Sequence, residues 1–207
     1  MGLLEKDIET RKNAFAELSK DSWEGRERRL AFQKALHRTK YEVQGLGIEM
    51  NQRYLDPLAA VYVDDEDMMS PPGFNKDPVL YYQPSTYPGC RVPHVWLNTT
   101  VPAKRISTID LTGHGKFTLL TGIGGRKAWA QAAAKVMENL QVPIVVYSIG
   151  YLEDYEDVYL DWTRLREVEE NGAVLVRPDR VVGWRSKSLP MLCEGKLFKI
   201  MCKLLDL

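Results

Sequence analysis

Phe117-Thr118-Leu119-Leu120-Thr121-Gly122, then Ile123-Gly124-Gly125-Arg126-Lys127, then the Ala-rich run from Ala128 to Leu140, then Val142-Pro143-Ile144-Val145-Val146-Tyr147-Ser148-Ile149: this stretch decides the fold. The first block is short, aliphatic and β-branched, which suits a strand. The run from Ala128 carries Trp129, Ala133, Val136 and Met137 on one side at helical spacing. The last block is almost continuously apolar, the pattern of a strand buried on both faces. Two such strands joined by a helix make a parallel βαβ unit, because parallel neighbours need a crossover connection.

Outward from this unit, Ser107-Thr108-Ile109-Asp110-Leu111 reads as a short strand before it, and Asp161 to Glu170 as a short helix after it. Ala173-Val174-Leu175-Val176-Arg177 and Val181-Val182-Gly183-Trp184-Arg185 flank the turn Pro178-Asp179-Arg180 and read as a β-hairpin. Leu189 to Leu205 reads as a closing helix. This order places residues 94–207 in the α/β class with a central mixed sheet, the arrangement of a thioredoxin-like fold. Residues 1–53 are helical in character, with Leu4, Ile8, Phe15, Leu18 and then Leu30, Leu36, Tyr41 and Val43 among charges. Ser22 is the N-cap expected for a second helix that runs to about Gln44 and is ended by Gly45 and Gly47. Residues 54–93 form a loop-rich strap punctuated by Pro57, Pro71-Pro72-Gly73, Pro78, Pro84, Pro88-Gly89 and Pro93, with one β-like piece from Ala59 to Val63. An irregular stretch of this length is expected to wrap over another body.

The chain has 207 residues, 44% hydrophobic and 27% charged, ordinary values for a globular protein with a core of its own. Lys+Arg and Asp+Glu both total 28, and this balance argues against a nucleic-acid binder or a charge-driven membrane binder. No apolar run approaches the ~20 residues of a membrane span. The acidic start lacks the basic region of a signal peptide, so the chain is read as cytoplasmic. Cys90, Cys193 and Cys202 are odd in number and form no CxxC pair, and are read as reduced thiols. The three histidines show no metal spacing. Arg26-Glu27-Arg28-Arg29 reads as a solvated helix face, and Asp64-Asp65-Glu66-Asp67 as a solvated loop without EF-hand spacing.

Tyr81-Tyr82-Gln83-Pro84-Ser85-Thr86-Tyr87-Pro88-Gly89-Cys90-Arg91-Val92-Pro93-His94-Val95-Trp96-Leu97 resembles the stretch that leads into the C-terminal domain of phenol and dichlorophenol hydroxylases, FAD-dependent aromatic monooxygenases. The similarity continues through Ser107 to Leu111, Phe117 to Gly122, Trp129, Val174 to Asp179 and Val182 to Arg185. Upstream it takes in Tyr41-Glu42 and Gly47 to Tyr54. The resemblance implies a thioredoxin-like C-terminal domain without redox cysteines that contributes to dimer contacts. It also implies a flavin domain with a GxGxxG loop, and no strand–GxGxxG–helix unit is found here. The nearest string, Gly122 to Lys127, lacks the third glycine and the acidic residue that would close the unit, and is read as a tight turn. No cofactor is expected on this chain, with FAD entering only if a separate flavin-domain partner supplies it.

Two functions follow. In the first, the chain is a flavin-free homologue of this C-terminal module, acting in dimerisation, interaction or an accessory role and not hydroxylating alone. In the second, it is a cofactor-independent isomerase, cyclase or lyase on an aromatic or polyketide-like intermediate of secondary metabolism, a reading suggested by Met1, the complete fold and the aromatic strap. Its catalytic candidates are His94, Asp110, His114, Tyr147 and Asp161, because such an enzyme works by positioned proton transfer. Asp110 and His114 are expected to form a carboxylate–imidazole pair if both project from one strand end. Tyr54, Tyr62, Tyr81, Tyr82 and Trp96 are the substrate-binding candidates, since aromatics with polar tips suit a pocket for a planar ligand. They equally suit a strap packed across a sheet. A void enclosed by residues 54–97 would separate the two readings.

Overall fold

The computed structural model describes residues 4–56, 60–68, 70–99 and 105–207. They pack as two units, one running to Glu49 and taking in Asp77–Tyr82, the other made of Met50–Lys76 and Gln83–Leu207. The strap expected over 54–93 is thus shared between the units.

The first unit contains α1 (Ile8–Ala16), a 3-10 turn (Glu17–Ser19), α2 (Trp23–Val43) and all but the last residue of α3 (Leu46–Met50). Asp7 caps α1 by accepting from the Thr10 N–H, and Ser22 caps α2 by accepting from the Gly25 N–H. The α1–α2 corner is tied by Arg29, whose Nη1 donates to the carbonyls of Leu18 at 2.8 Å and Lys20 at 2.9 Å. The Tyr41 hydroxyl donates to the Asp77 carboxylate. The ends of α2 agree with those expected from Ser22 and Gly45.

The second unit is built on a four-stranded sheet in the order β4-β3-β5-β6, from β3 (Phe117–Thr121), β4 (Ile144–Ser148), β5 (Ala173–Val176) and β6 (Val182–Ser186). β3 runs parallel to β4 and antiparallel to β5, and β5 runs antiparallel to β6. This is the expected mixed sheet with a parallel βαβ unit and a terminal hairpin, with α5 (Arg126–Leu140) as the crossover helix and α7 (Cys193–Leu205) closing the chain. Successive side chains of a strand face opposite ways. Leu119 and Leu175 therefore join the core of Trp129, Val136, Trp184, Leu197 and Met201 on the α5–α7 face, while Leu120 and Val174 join that of Val92, Leu97, Ile149 and Trp162 on the other. The strap closes the free edge of β6. Gly89 donates to Val182, Val182 donates back to Cys90, and Tyr62 donates to Gly183. Gly89 holds a positive φ of 91°, and a Cβ there would lie 2.3 Å from the Tyr54 carbonyl oxygen, so this crossing requires glycine.

Four sequence expectations are corrected. Ser107 to Leu111 is not a strand: a two-residue β2 (Ile106–Ser107) pairs with β1 (Trp96–Leu97), and Thr108–Leu111 forms the turn-length helix α4. The capping box at its start overrides the β-branched residues. The Ser107 hydroxyl accepts from the Ile109 N–H, and the Asp110 carboxylate accepts from the Ser107 N–H. β3, like β5 and β6, is buried along its whole length, whereas β4 lies at the sheet edge with Val145, Val146 and Tyr147 half-buried. The helix expected over 161–170 is only Asp161–Leu165 (α6), and Glu167 beyond it has a left-handed φ of 55°. In the β-like piece, Ala59 lies outside the described residues and Ala60 to Val63 form no strand.

Candidate functional site

β1, β2 and α4 place His94, Trp96, Ser107, Asp110 and His114 on one surface of the second unit. His94 is exposed, its Nδ1 lies 2.6 Å from the Ser107 Oγ, and its ring stands edge-on to Trp96 at 4.9 Å. Arg105 sits over the Trp96 ring at 5.7 Å. The Asp110–His114 carboxylate–imidazole pair does not form. The capping box occupies the Asp110 carboxylate, and the His114 Nε2 lies 3.2 Å from the Asp110 main-chain oxygen. Tyr147 meets Tyr155 edge-on at 5.6 Å, and Asp161 pairs with Arg164. The five catalytic candidates are therefore not drawn into one constellation.

The aromatic candidates are dispersed as well. Tyr54 and Trp96 are roughly half exposed, and Lys203 covers the Tyr62 ring with its Nζ 3.9 Å from the centroid. Tyr81 and Tyr82 belong to the helical unit, whereas Tyr54, Tyr62 and Trp96 belong to the sheet unit.

The strongest chemistry lies in a cluster that composition hides. Arg185 in β6 is fully buried. Its guanidinium grips Asp67 with two hydrogen bonds, Nε–Oδ2 at 2.5 Å and Nη2–Oδ1 at 2.9 Å. Nη1 reaches the Glu167 Oε2 at 2.5 Å and the Thr86 Oγ1 at 3.1 Å, and the cation lies over the Tyr87 ring at 5.3 Å. Lys187 adds a contact to Asp67 at 3.3 Å, and the Ser85 hydroxyl donates to Glu167 at 2.8 Å. Burial pushes the Asp67 carboxyl up, but the Arg185 hydrogen bonds, the Met68 N–H and the charges of Arg185 and Lys187 outweigh it and hold the group below its usual range. Asp64 is buried too, accepting from the Trp184 Nε1 at 3.3 Å and pairing with Lys196 at 2.8 Å. The run Asp64 to Asp67 is thus no solvated loop, and two of its carboxylates anchor the strap. The signal in the sequence was an arginine directly after the apolar run Val181–Trp184, with a run of acids far upstream.

The family resemblance raises FAD, and the Gly122–Lys127 turn is where a strand–glycine–helix cradle would have to be. Its glycines serve another purpose. A Cβ at Gly122 would lie 2.6 Å from the Glu170 carbonyl oxygen, and one at Gly125 2.1 Å from the Thr121 Oγ1 and 2.9 Å from the Asn171 carbonyl oxygen. The two glycines let the 170–172 backbone approach the turn closely. Thr121 and Trp129 lock that backbone in place through hydrogen bonds to Gly172 at 2.7 Å and Asn171 at 3.0 Å. No group of three or more metal-ligating side chains occurs among the described residues.

Fold and site together define an α/β module whose buried polar groups fasten a strap to a sheet. A family model for the C-terminal region of aromatic-ring hydroxylases matches residues 85–205. The chain is 42% identical to 2,4-dichlorophenol 6-monooxygenase of Delftia acidovorans over 90% of its own length and 30% of that protein's. It is 40% identical to phenol 2-monooxygenase of a Pseudomonas species over 87% of its length and 28% of that protein's. The solved structure of the flavin-dependent monooxygenase PieE with FAD and substrate aligns with 96% of this chain at 37% identity and a TM-score of 0.82, using 32% of the PieE chain. The chain belongs to the aromatic-ring hydroxylase C-terminal family, and it spans about a third of the length of these relatives.

Proposed function

We propose that the chain is the C-terminal accessory module of an aromatic-ring hydroxylase and works with a flavin-bearing body that holds FAD and oxidises a phenolic or polyketide-like aromatic. The observation that carries this reading is the pairing of family membership with a Gly122–Gly125 turn whose first and last glycines are taken up by close approach of the 170–172 backbone. A module of this kind contributes shape and rigidity, and the Arg185 cluster supplies the rigidity by fixing the strap, the Glu167 loop and β6 to one another. Free thiols at Cys90, Cys193 and Cys202 suit the reducing cytoplasm, and a homodimer is what the family resemblance implies.

A cofactor-independent enzyme is less well supported. Cavities of about 530, 850 and 480 Å³ lie along α2, between α5 and α7, and at the start of α5. None of these three is lined by His94, Asp110, His114, Tyr147, Asp161 or the strap aromatics.

The test uses the FAD-loaded N-terminal two thirds of the Delftia enzyme with an aromatic substrate and its own reductant. Product formation is measured with and without this chain. A several-fold rise on addition supports the accessory role. Flavin absorbance in the purified chain alone, or product made by the chain alone, would sink it.

A further inference from the structure

β4 forms one edge of the sheet and leaves part of its backbone without a partner strand. The Phe117 N–H donates to the Pro143 carbonyl and the Ile149 N–H to the Thr121 carbonyl, so the odd-numbered residues of this stretch turn their polar groups toward β3. Alternation turns those of Ile144, Val146, Ser148 and Gly150 outward. The C-terminal end of this edge is already taken. Asp154 accepts from the Ser148 N–H at 3.0 Å, while Tyr155 donates to the Ser148 carbonyl at 3.1 Å and accepts from the Gly150 N–H at 2.9 Å. Among the described residues nothing takes up the outward N–H and C=O groups of Ile144 and Val146.

An open edge of this kind is a template for another strand, and proteins usually blunt one with lysine or another charge. Here the stretch from Gln141 to Gly150 carries no charged residue. Val145, Val146 and Tyr147 are half-buried, and Val145 is part of neither core.

The occupant follows from the symmetry of the open stretch. A second copy laid antiparallel about a two-fold axis through Val145 pairs Ile144 of each chain with Val146 of the other. These two pairs exchange four hydrogen bonds and match every outward group of Ile144 and Val146. One register step toward the C-terminus would set Ile144 against Ser148, whose groups are taken, and one step the other way would call on Val142, which lies before the strand. On the axis Val145 stands opposite Val145, a β-branched pair, and with no charge on the edge neither copy repels the other. The contact is isologous and closes on itself.

We infer that the β4 edge is a self-association surface, through which two copies of the chain join at Ile144–Val146 into one continuous sheet. The pairing needs neither FAD nor a flavin-bearing body, so its failure leaves the accessory-module reading standing.

The experiment uses the full chain. Sedimentation reads its mass over a wide range of concentration, and amide hydrogen exchange reads the strand. Expected are a monomer–dimer equilibrium and protection of the Ile144 and Val146 amides that grows with concentration. The amides of Val145 and Tyr147, which face β3, are protected throughout. Val145→Lys and Val145→Glu each set like charges face to face and weaken association about tenfold or more, and mixing the two variants restores it. The exchange pattern of the unsubstituted chain decides the matter even where a variant does not fold. A chain that stays monomeric at every concentration overturns the inference. So does a dimer whose Ile144 and Val146 amides exchange at the monomer rate, a dimer that tolerates both charged variants, or a folded pair of variants that does not associate on mixing.

Discussion

α2 and α5 each carry a tryptophan near the N-terminus, and the two side chains meet opposite fates. Trp23 is 70% exposed, whereas Trp129 is wholly buried and donates from its indole N–H to Asn171. α2 is specified locally, by the Ser22 cap and the Arg29 ties to the preceding turn. α5 has no side-chain cap and starts at Gly125, but it buries Trp129, Ala132, Ala133 and Val136. The ion pairs follow the same division. Those of the helical unit, such as Lys12–Glu9 and Arg26–Asp21, are exposed and contribute about 0–1 kcal/mol each. The Arg185–Asp67 pair of the sheet unit is sealed from water. One region is written in short-range signals. The other is held by contacts between residues far apart in sequence.

The sharpest way to break this contrast is Arg185→Ala. It leaves the Asp67 and Glu167 carboxylates without their main partner and should cost about 3–5 kcal/mol in urea unfolding of the sheet unit. A loss below about 1 kcal/mol would mean that the cluster is not what fastens the strap. Acid comes next. The folded carboxyl of Asp67 titrates below its usual range, so its contribution is complete above the unfolded value near 3.8 and is lost as pH falls through the lower folded value. Stability should therefore decline below about pH 4. Asp67→Asn should be less stable at pH 7 and show a flatter acid limb, and a limb as steep as the parent's would assign the decline to other groups. The smallest effect belongs to α2. Ser22→Ala should cost about 1 kcal/mol, seen as faster amide exchange in the first turn of α2 with the sheet unit unchanged. Slower unfolding, or a loss spread over both units, would erase the distinction drawn here.

Legibility in the sequence follows the same line. The limits of α2, the β3–α5–β4 unit and the β5–β6 hairpin were readable because a cap, a periodicity or a turn marks each of them within a few residues. At Ser107 to Leu111 two local signals competed, and the capping box outweighed the β-branched residues. α6 stops at Leu165 because the chain bends through a left-handed Glu167 whose carboxylate is held by Arg185, a partner that α6 itself does not reveal. The acidic run at 64–67 was misread for a like reason, since polarity indicates solvent until a buried cation is found across the fold. Of the candidate site, His94 did acquire a close partner in Ser107. Spacing alone could not show that the Asp110 carboxylate would be spent on its own helix cap.

The Arg185 cluster also imposes an order on the birth of the molecule. Asp67 and Arg185 are 118 positions apart. At synthesis rates of roughly 5–20 residues per second, Asp67 leaves the ribosome about 6–24 s before the cation that will hold it. Throughout that interval the strap carries an unmatched carboxylate, which disfavours early collapse into an apolar nucleus. The acid that later locks the finished structure thus serves first as a guard, keeping the strap in water until β6 has been made.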